Sequence, residues 1–109
     1  MRLLKRYQFK QMIHSSYARV GHWILIERKK NRLSVTRLGI TVSKRYGKSH
    51  ERNRFKRIVR EAFRLCYSTL PVGFDLIVKP RSAAHHAKMP DIQSEFHTLF
   101  SALYSNQSS

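Results

Sequence analysis

Acidic residues are scarce in this 109-residue chain: six Asp and Glu stand against 22 Lys and Arg, for a net charge of +16 at pH 7. A folded chain so basic repels itself, so it implies a polyanionic partner: nucleic acid, an anionic membrane or an acidic protein. Cysteine is almost missing. Cys66 stands alone, which excludes an internal disulfide framework and a cysteine-based zinc site. No run approaches 18 apolar residues, so no segment is expected to span a bilayer, and no membrane partner is expected. The start is basic, but Gln8, Lys10 and Gln11 interrupt any apolar stretch behind it. No signal peptide is expected, and the expected compartment is the cytoplasm. Repeats are absent, and the one low-complexity stretch is the polar run from Ser105 to Ser109, expected to fray. One domain over residues 1–104 is the expectation, followed by a tail at 105–109.

What remains is ordinary for a folded domain: 41% hydrophobic residues, with six Phe, five Tyr and one Trp. Basic residues spread among aromatics along such a domain favour nucleic acid, since a membrane-surface peptide would be a single amphipathic helix. Phe9, Met12 and Ile13, at i, i+3 and i+4, predict a short helix near residues 6–13. Trp23 to Ile26 predict a strand over about 21–28, with a turn at 29–32. Leu38, Ile40 and Val42 alternate with Gly39, Thr41 and Ser43, predicting a strand within 34–44 that Gly47 closes. A long helix is predicted over 51–67 with Ser49 as N-cap, then a strand at 74–79 ended by Pro80. Pro90 opens a last helix to about Tyr104, with Asp91 and Glu95 near its positive end. The order α-β-β-α-β-α implies an α+β two-layer sandwich of helices on a small mixed sheet.

The long helix carries the functional signal. On a wheel of about 100° per residue, Phe55, Ile58, Val59, Ala62, Phe63 and Cys66 gather on one face. Asn53, Arg57, Arg60 and Arg64 form a row opposite, flanked by Lys56 and Arg54, while Arg52 sits nearer the apolar edge. Only Glu51 and Glu61 oppose the nine Lys and Arg between Lys44 and Arg64. A merely solvated face would mix signs, because like charges at i,i+4 cost a few tenths of a kcal/mol. A row that keeps one sign at that cost predicts a phosphate-bearing partner, and arginine suits forked contacts to phosphate.

The stretch Ser43-Lys44-Arg45-Tyr46-Gly47-Lys48, followed by the run from Glu51 through Arg52-Asn53-Arg54, Lys56-Arg57 and Arg60-Glu61 to Arg64, resembles the signature of the bacterial ribonuclease P protein family. Arg37 to Lys44 resembles the strand before that motif, Phe74 to Val78 with Arg81 the strand after it, and Leu4-Lys5 with Phe9 the first helix. The resemblance covers about residues 4–104. It implies a sandwich in which the motif helix joins two parallel strands by a left-handed crossover, against the usual right-handed preference. It also implies a subunit of an RNA-based endoribonuclease that removes the 5′ leader of precursor tRNA. In that family the RNA performs the cleavage with divalent metal, so Mg2+ bound mainly by the RNA is the implied cofactor. The implied partners are the catalytic RNA and precursor tRNA, with one protein monomer per RNA. Lys44, Arg45, Lys48, Arg52, Asn53, Arg54, Lys56, Arg57, Arg60 and Arg64 would face the catalytic RNA. Lys5, Phe9, Ile13 and Arg81 would line a cleft for the leader, with Ile13 where many relatives carry an aromatic.

No catalytic or metal-binding residue is expected in the chain itself. Its carboxylates Glu27, Glu51, Glu61, Asp75, Asp91 and Glu95 form no close cluster in sequence, and its six histidines are scattered. His85-His86 reads as a solvated loop pair, Cys66 as a buried member of the apolar stripe, and Trp23 as core. A structural RNA-binding protein of the ribosomal type fits the charge and size equally, and only the motif helix with its strands separates the two. A self-sufficient metal nuclease lacks the carboxylates it needs. The role of the basic loop from Arg28 to Arg32 stays open.

Overall fold

A computed structural model describes residues 2–3, 17–70 and 72–108. The expected helix at 6–13, with Lys5, Phe9 and Ile13, lies outside the described residues. The described elements are β1 (Arg2–Leu3), β2 (Tyr17–Val20), β3 (Ile24–Lys30), β4 (Arg37–Ile40), α1 (Ser49–Cys66), β5 (Phe74–Pro80) and α2 (Met89–Ser108). The sheet is mixed, in the order β1-β4-β5-β3-β2. β4 pairs parallel with β5 and with β1, while β3 pairs antiparallel with β5 and β2. Parallel neighbours cannot be joined by a hairpin, and α1 supplies the crossover between β4 and β5.

Alternation sorts the strands into two faces. Ile24 and Ile26 of β3, Leu38 of β4 and Phe74, Leu76 and Val78 of β5 turn toward the helices and are buried. Against them pack Phe55, Val59, Ala62, Phe63 and Cys66 from α1, and Ile92, Phe96 and Leu99 from α2. Phe63 and Phe96 meet at a ring-centroid distance of 6.1 Å, so the two helices share one core. The apolar stripe of α1 is the one expected, with Ile58 half-buried at its edge. Arg28 continues the inward register and is 1% exposed, its guanidinium carbon 5.0 Å from the centre of the Phe74 ring. That burial was not legible from a basic strand end.

Element ends differ from expectation for local reasons. β2, an edge strand with no strong alternation, was not foreseen. The strand expected from Gly21 begins at Ile24 because residues 21–23 form the turn between β2 and β3, closed by Gly21 N–H to the Ile24 carbonyl (2.8 Å). The Glu95 carboxylate of α2 accepts the Trp23 N–H at 2.9 and 3.2 Å and fixes that turn. A Cβ on Gly21 would lie 1.5 Å from Glu95 Oε1, which is why glycine stands there. Gly21→Ala is expected to displace Glu95 and leave the Trp23 N–H unsatisfied. The cost would be about 1–3 kcal/mol, read as a lower urea midpoint at unchanged slope.

At its other end β3 runs through Lys30, where a turn was expected. The loop that follows is held by Asn31, whose N–H donates to the Gly73 carbonyl (2.7 Å) and whose amide donates to the Val35 carbonyl (3.1 Å). Gly73 sits at φ +89°, in the left-handed region that favours glycine, and so brings the start of β5 alongside. β4 is shorter than the strand expected at 34–44, although Thr41 N–H still reaches the Val78 carbonyl (3.0 Å). The chain then turns through a short 3₁₀ segment, Lys44–Tyr46. α1 starts two residues early: Lys48, not Ser49, is the N-cap, because the Glu51 carboxylate accepts the Lys48 N–H (3.1 Å). α2 continues through Ser108, past the Tyr104 end expected from its apolar stripe.

Candidate nucleic-acid interface

The outer row of α1 emerges as its spacing predicts. Asn53, Arg57, Arg60 and Arg64 are all exposed, on the side opposite Phe55, Val59 and Ala62. None of the three arginines has an ion-pair partner among the described residues. The row is therefore a single-sign field in water, anchored by a buried apolar stripe that fixes its direction. Lys44, Arg45 and Lys48 are exposed in the turn leading into the helix and extend the positive surface past its N-terminus. Lys56 is half-exposed beside the row.

Two expected contact residues do other work. Arg54 is half-buried and its Nη2 donates to the Ala87 carbonyl at 2.6 Å, tying α1 to the segment before α2. Arg52 is half-buried on the apolar edge and its Nη2 donates to Ser49 Oγ at 3.1 Å. Arg81 is exposed, and its Nη1 donates to the Gly21 carbonyl while its own N–H donates to the Trp23 carbonyl (2.9 Å). It links the end of β5 to the β2–β3 turn and keeps further guanidinium donors facing solvent.

The sheet face away from the helices carries the polar register positions. Arg37 and Asp75 lie opposite each other on β4 and β5. Arg37 Nε and Nη2 each reach one Asp75 carboxylate oxygen at 2.7 Å, and Asn31 Nδ2 donates to the same group at 2.8 Å. Lys79 Nζ pairs with Glu27 Oε1 at 2.9 Å across β5 and β3. Ile77 is buried on this face, and the apolar surface left between the charged pairs is that of half-buried Leu25.

Five of the six carboxylates are spent on structure, and Glu61 is exposed on α1. Besides Asp75, Glu27 and Glu95, Asp91 accepts the Lys88 N–H at 2.9 Å. Glu51 accepts the Lys48 N–H and faces His85 Nδ1 at 3.1 Å; the first of these, with nearby His85, His50 and Lys48, holds its carboxyl below the usual carboxylate range. Among the described residues no three His, Cys, Asp or Glu side chains converge as a cation site. A divalent ion held by this chain alone does not fit those residues. Burial pushes the Cys66 thiol up, away from the thiolate a nucleophile needs.

His85 is exposed, as the solvated reading has it, and it also makes specific contacts. Its ring stacks on Tyr46 at 4.0 Å and 7°, and Tyr46 in turn leans on buried Phe55 at 5.7 Å. Burial raises the Tyr46 hydroxyl above its ordinary value, against the opposing pull of Arg54. Trp23, expected in the core, is only partly buried against it, with His22 edge-on at 4.4 Å. Sequence alone gave no sign of the Tyr46–His85–Glu51 cluster, because its members come from three separate segments.

Known proteins resemble this chain in sequence and in fold. The family model described as Ribonuclease P matches residues 1–104. The ribonuclease P protein component of Desulfosudis oleivorans is 41% identical over 99 residues, covering 91% of this chain and 82% of the relative. That of Chlamydia trachomatis serovar D is 47% identical over 81 residues, 73% of this chain and 67% of the relative. The fold matches the RNase P protein from Thermotoga maritima with a TM-score of 0.83 at 29% identity, covering 92% and 94% of the two chains. It also matches a Staphylococcus aureus RNase P protein mutant with defective mRNA degradation activity, with a TM-score of 0.83 at 27% identity over 94% of this chain and 87% of that one. No helix among the described residues is long and apolar enough to cross a membrane. By profile, by sequence and by fold, the chain belongs to the ribonuclease P protein family, whose members serve tRNA processing as part of an endoribonuclease complex.

Proposed function

We propose that this protein binds the catalytic RNA of ribonuclease P through the outer row of α1 and supports metal-dependent removal of the 5′ leader from precursor tRNA. The observation that carries the reading is the exposed row Asn53, Arg57, Arg60 and Arg64, without an ion pair among the described residues, on a helix whose other face is locked into the core. Phosphates neutralised by such a row release counterions, which supplies affinity without sequence readout. Lys44, Arg45, Lys48 and Lys56 lengthen the same track, while Arg52 and Arg54 mainly brace it.

The 5′ leader, a single strand, lies across the sheet face opposite the helices. Half-buried Leu25 offers apolar surface there, with Arg81 at the strand ends and Lys5, Phe9 and Ile13 contributed by the N-terminal segment. Single strands are held in this way by apolar or aromatic platforms beside a basic track. The chemistry belongs to the RNA, which holds the Mg2+ ions; one protein monomer serves each RNA by raising its grip on leader-bearing substrate. The protein works in the cytoplasm, where precursor tRNA is made in bacteria.

The test is single-turnover cleavage of a precursor tRNA by a bacterial ribonuclease P RNA at low magnesium, with and without the protein. Restored cleavage together with tighter binding of leader-bearing substrate than of mature tRNA is expected. Binding to the RNA with neither effect would reduce the protein to a structural RNA binder. Cleavage by the protein without RNA would overturn the reading altogether.

A further inference from the structure

Six carboxylates are few enough to follow one by one, and the fold uses five of them. Asp75 and Glu27 pair with Arg37 and Lys79, and Glu95 holds the Trp23 N–H. Glu51 and Asp91 accept backbone N–H groups at the starts of their helices. Glu61 is the sixth. It is exposed on α1 beside the outer row, and its side chain makes no ion pair or hydrogen bond among the described residues. Cations are near in sequence: Arg57 and Arg64 stand at i−4 and i+3, spacings that bring charged side chains within reach. Neither closes on it. Arg54, two turns back on the same side, is held by the Ala87 carbonyl. At about 100° per residue, Glu61 and Leu65 lie about 40° and 80° round the helix from Arg57, on the side away from Arg60. Leu65 is 46% exposed, an unusual opening for a large apolar side chain on a packed helix. α1 therefore shows solvent two adjoining strips, one of cations and one of a free carboxylate with an aliphatic chain.

Phosphate repels a carboxylate, so beside a row that binds phosphates Glu61 subtracts from affinity. A partner group that donates a hydrogen bond explains its place. In helical RNA such donors lie next to the phosphates, because the wide, shallow minor groove displays the ribose 2′-hydroxyls. A protein helix whose cationic strip follows one phosphate strand turns its neighbouring strip onto that sugar edge. We propose that Glu61 accepts a hydrogen bond from a ribose 2′-hydroxyl in a paired segment of the catalytic RNA. Leu65 rests on the sugar beside it, and together the two tell RNA from DNA. A hydrogen bond to a charged acceptor is stronger than one between neutral groups, which offsets the repulsion. DNA offers the phosphates without the hydroxyl, and there the carboxylate only repels. The inference rests on the RNA-binding reading above and adds a contact that phosphate-binding arginines do not supply.

The test uses the full chain and three probes: a transcribed bacterial ribonuclease P RNA, and RNA and DNA duplexes of one sequence. Glu61→Ala is expected to weaken binding to both RNAs roughly tenfold, the loss of one hydrogen bond to a charged group. The same variant should bind the DNA duplex a few-fold more tightly, with one like charge removed from among the phosphates. Glu61→Gln keeps an acceptor oxygen and should recover part of the RNA affinity. Leu65→Ala should weaken the RNA complexes and leave the DNA complex as it is. Glu61 has no side-chain contact in the fold to lose, so thermal unfolding of its variants should match the parent. If Glu61→Ala tightens binding to RNA and DNA alike, or changes neither, Glu61 is a solvated charge and the proposal is wrong. A loss on the ribonuclease P RNA without one on the RNA duplex would place the contact at a base edge and also overturn it. In both cases the RNA-binding reading stands if reversal of Arg57 and Arg60 weakens binding to the ribonuclease P RNA. If that reversal is also without effect, the RNA-binding reading itself fails.

Discussion

Reversing Arg57 and Arg60 together to glutamate is expected to weaken binding to the catalytic RNA by roughly 3–6 kcal/mol, since two charge-assisted contacts at about 1.5–3 kcal/mol each are replaced by repulsion. Both side chains are exposed and ion-paired to nothing among the described residues, so the folded chain has no native contact to lose. Thermal unfolding should therefore stay close to that of the parent, and the reversal should even relieve like-charge repulsion with Arg64 along the row. The salt dependence should change with the affinity, the slope of log K against log salt becoming shallower by about 2. Filter binding of a transcribed ribonuclease P RNA over a salt series measures both. Unchanged affinity at low salt would mean that α1 faces something other than the RNA. The same pair of substitutions at Arg52 and Arg54 should behave differently, because those arginines brace Ser49 and the Ala87 carbonyl; stability should fall along with binding.

The second large effect concerns stability. Asp75→Ala should cost about 3–5 kcal/mol, because it removes the one buried carboxylate that the Arg37 fork and the Asn31 amide share. The side chains of Arg37 and Asp75 are 15% and 9% exposed, so water cannot readily take over. Native domains hold only about 5–15 kcal/mol in all, so the variant should lose a large part of its margin. The midpoint in urea and Tm should both fall, Tm by more than roughly 10 °C for a chain of this size. Asn31 also organises the β3–β4 loop, and hydrogen exchange should quicken there before it does in the core around Phe63 and Phe96. A variant as stable as the parent would show that the forked pair is a replaceable surface contact.

How much of this was readable in advance varies by element. α1 was, because an 18-residue helix with a 3.6-residue apolar period states both its inner and its outer face. β5 was as well, since Phe74 and Leu76-Ile77-Val78 closed by Pro80 describe a strand; its central place in the sheet was not legible. β2 was not: an edge strand buries little and leaves no strong alternation in its sequence. Arg28 reads as a loop cation and is core, because the register of β3 turns it inward onto Phe74, and register is decided by pairing with β5. Arg54 looked like one more contact in the basic row, yet the Ala87 carbonyl claims it from far along the chain.

By itself the sequence determined the charge, the single-sign row on α1, the motif that marks the family, and the inner faces of the main helices and strands. These are properties of composition and local period, which need no knowledge of what lies opposite. Only the tertiary structure decided which cations are free and which are braces, which carboxylates are consumed, and that Tyr46, His85 and Glu51 meet beside the ends of β4 and β5. Those outcomes depend on long-range pairing, and a side chain's role follows from the partner that pairing brings to it.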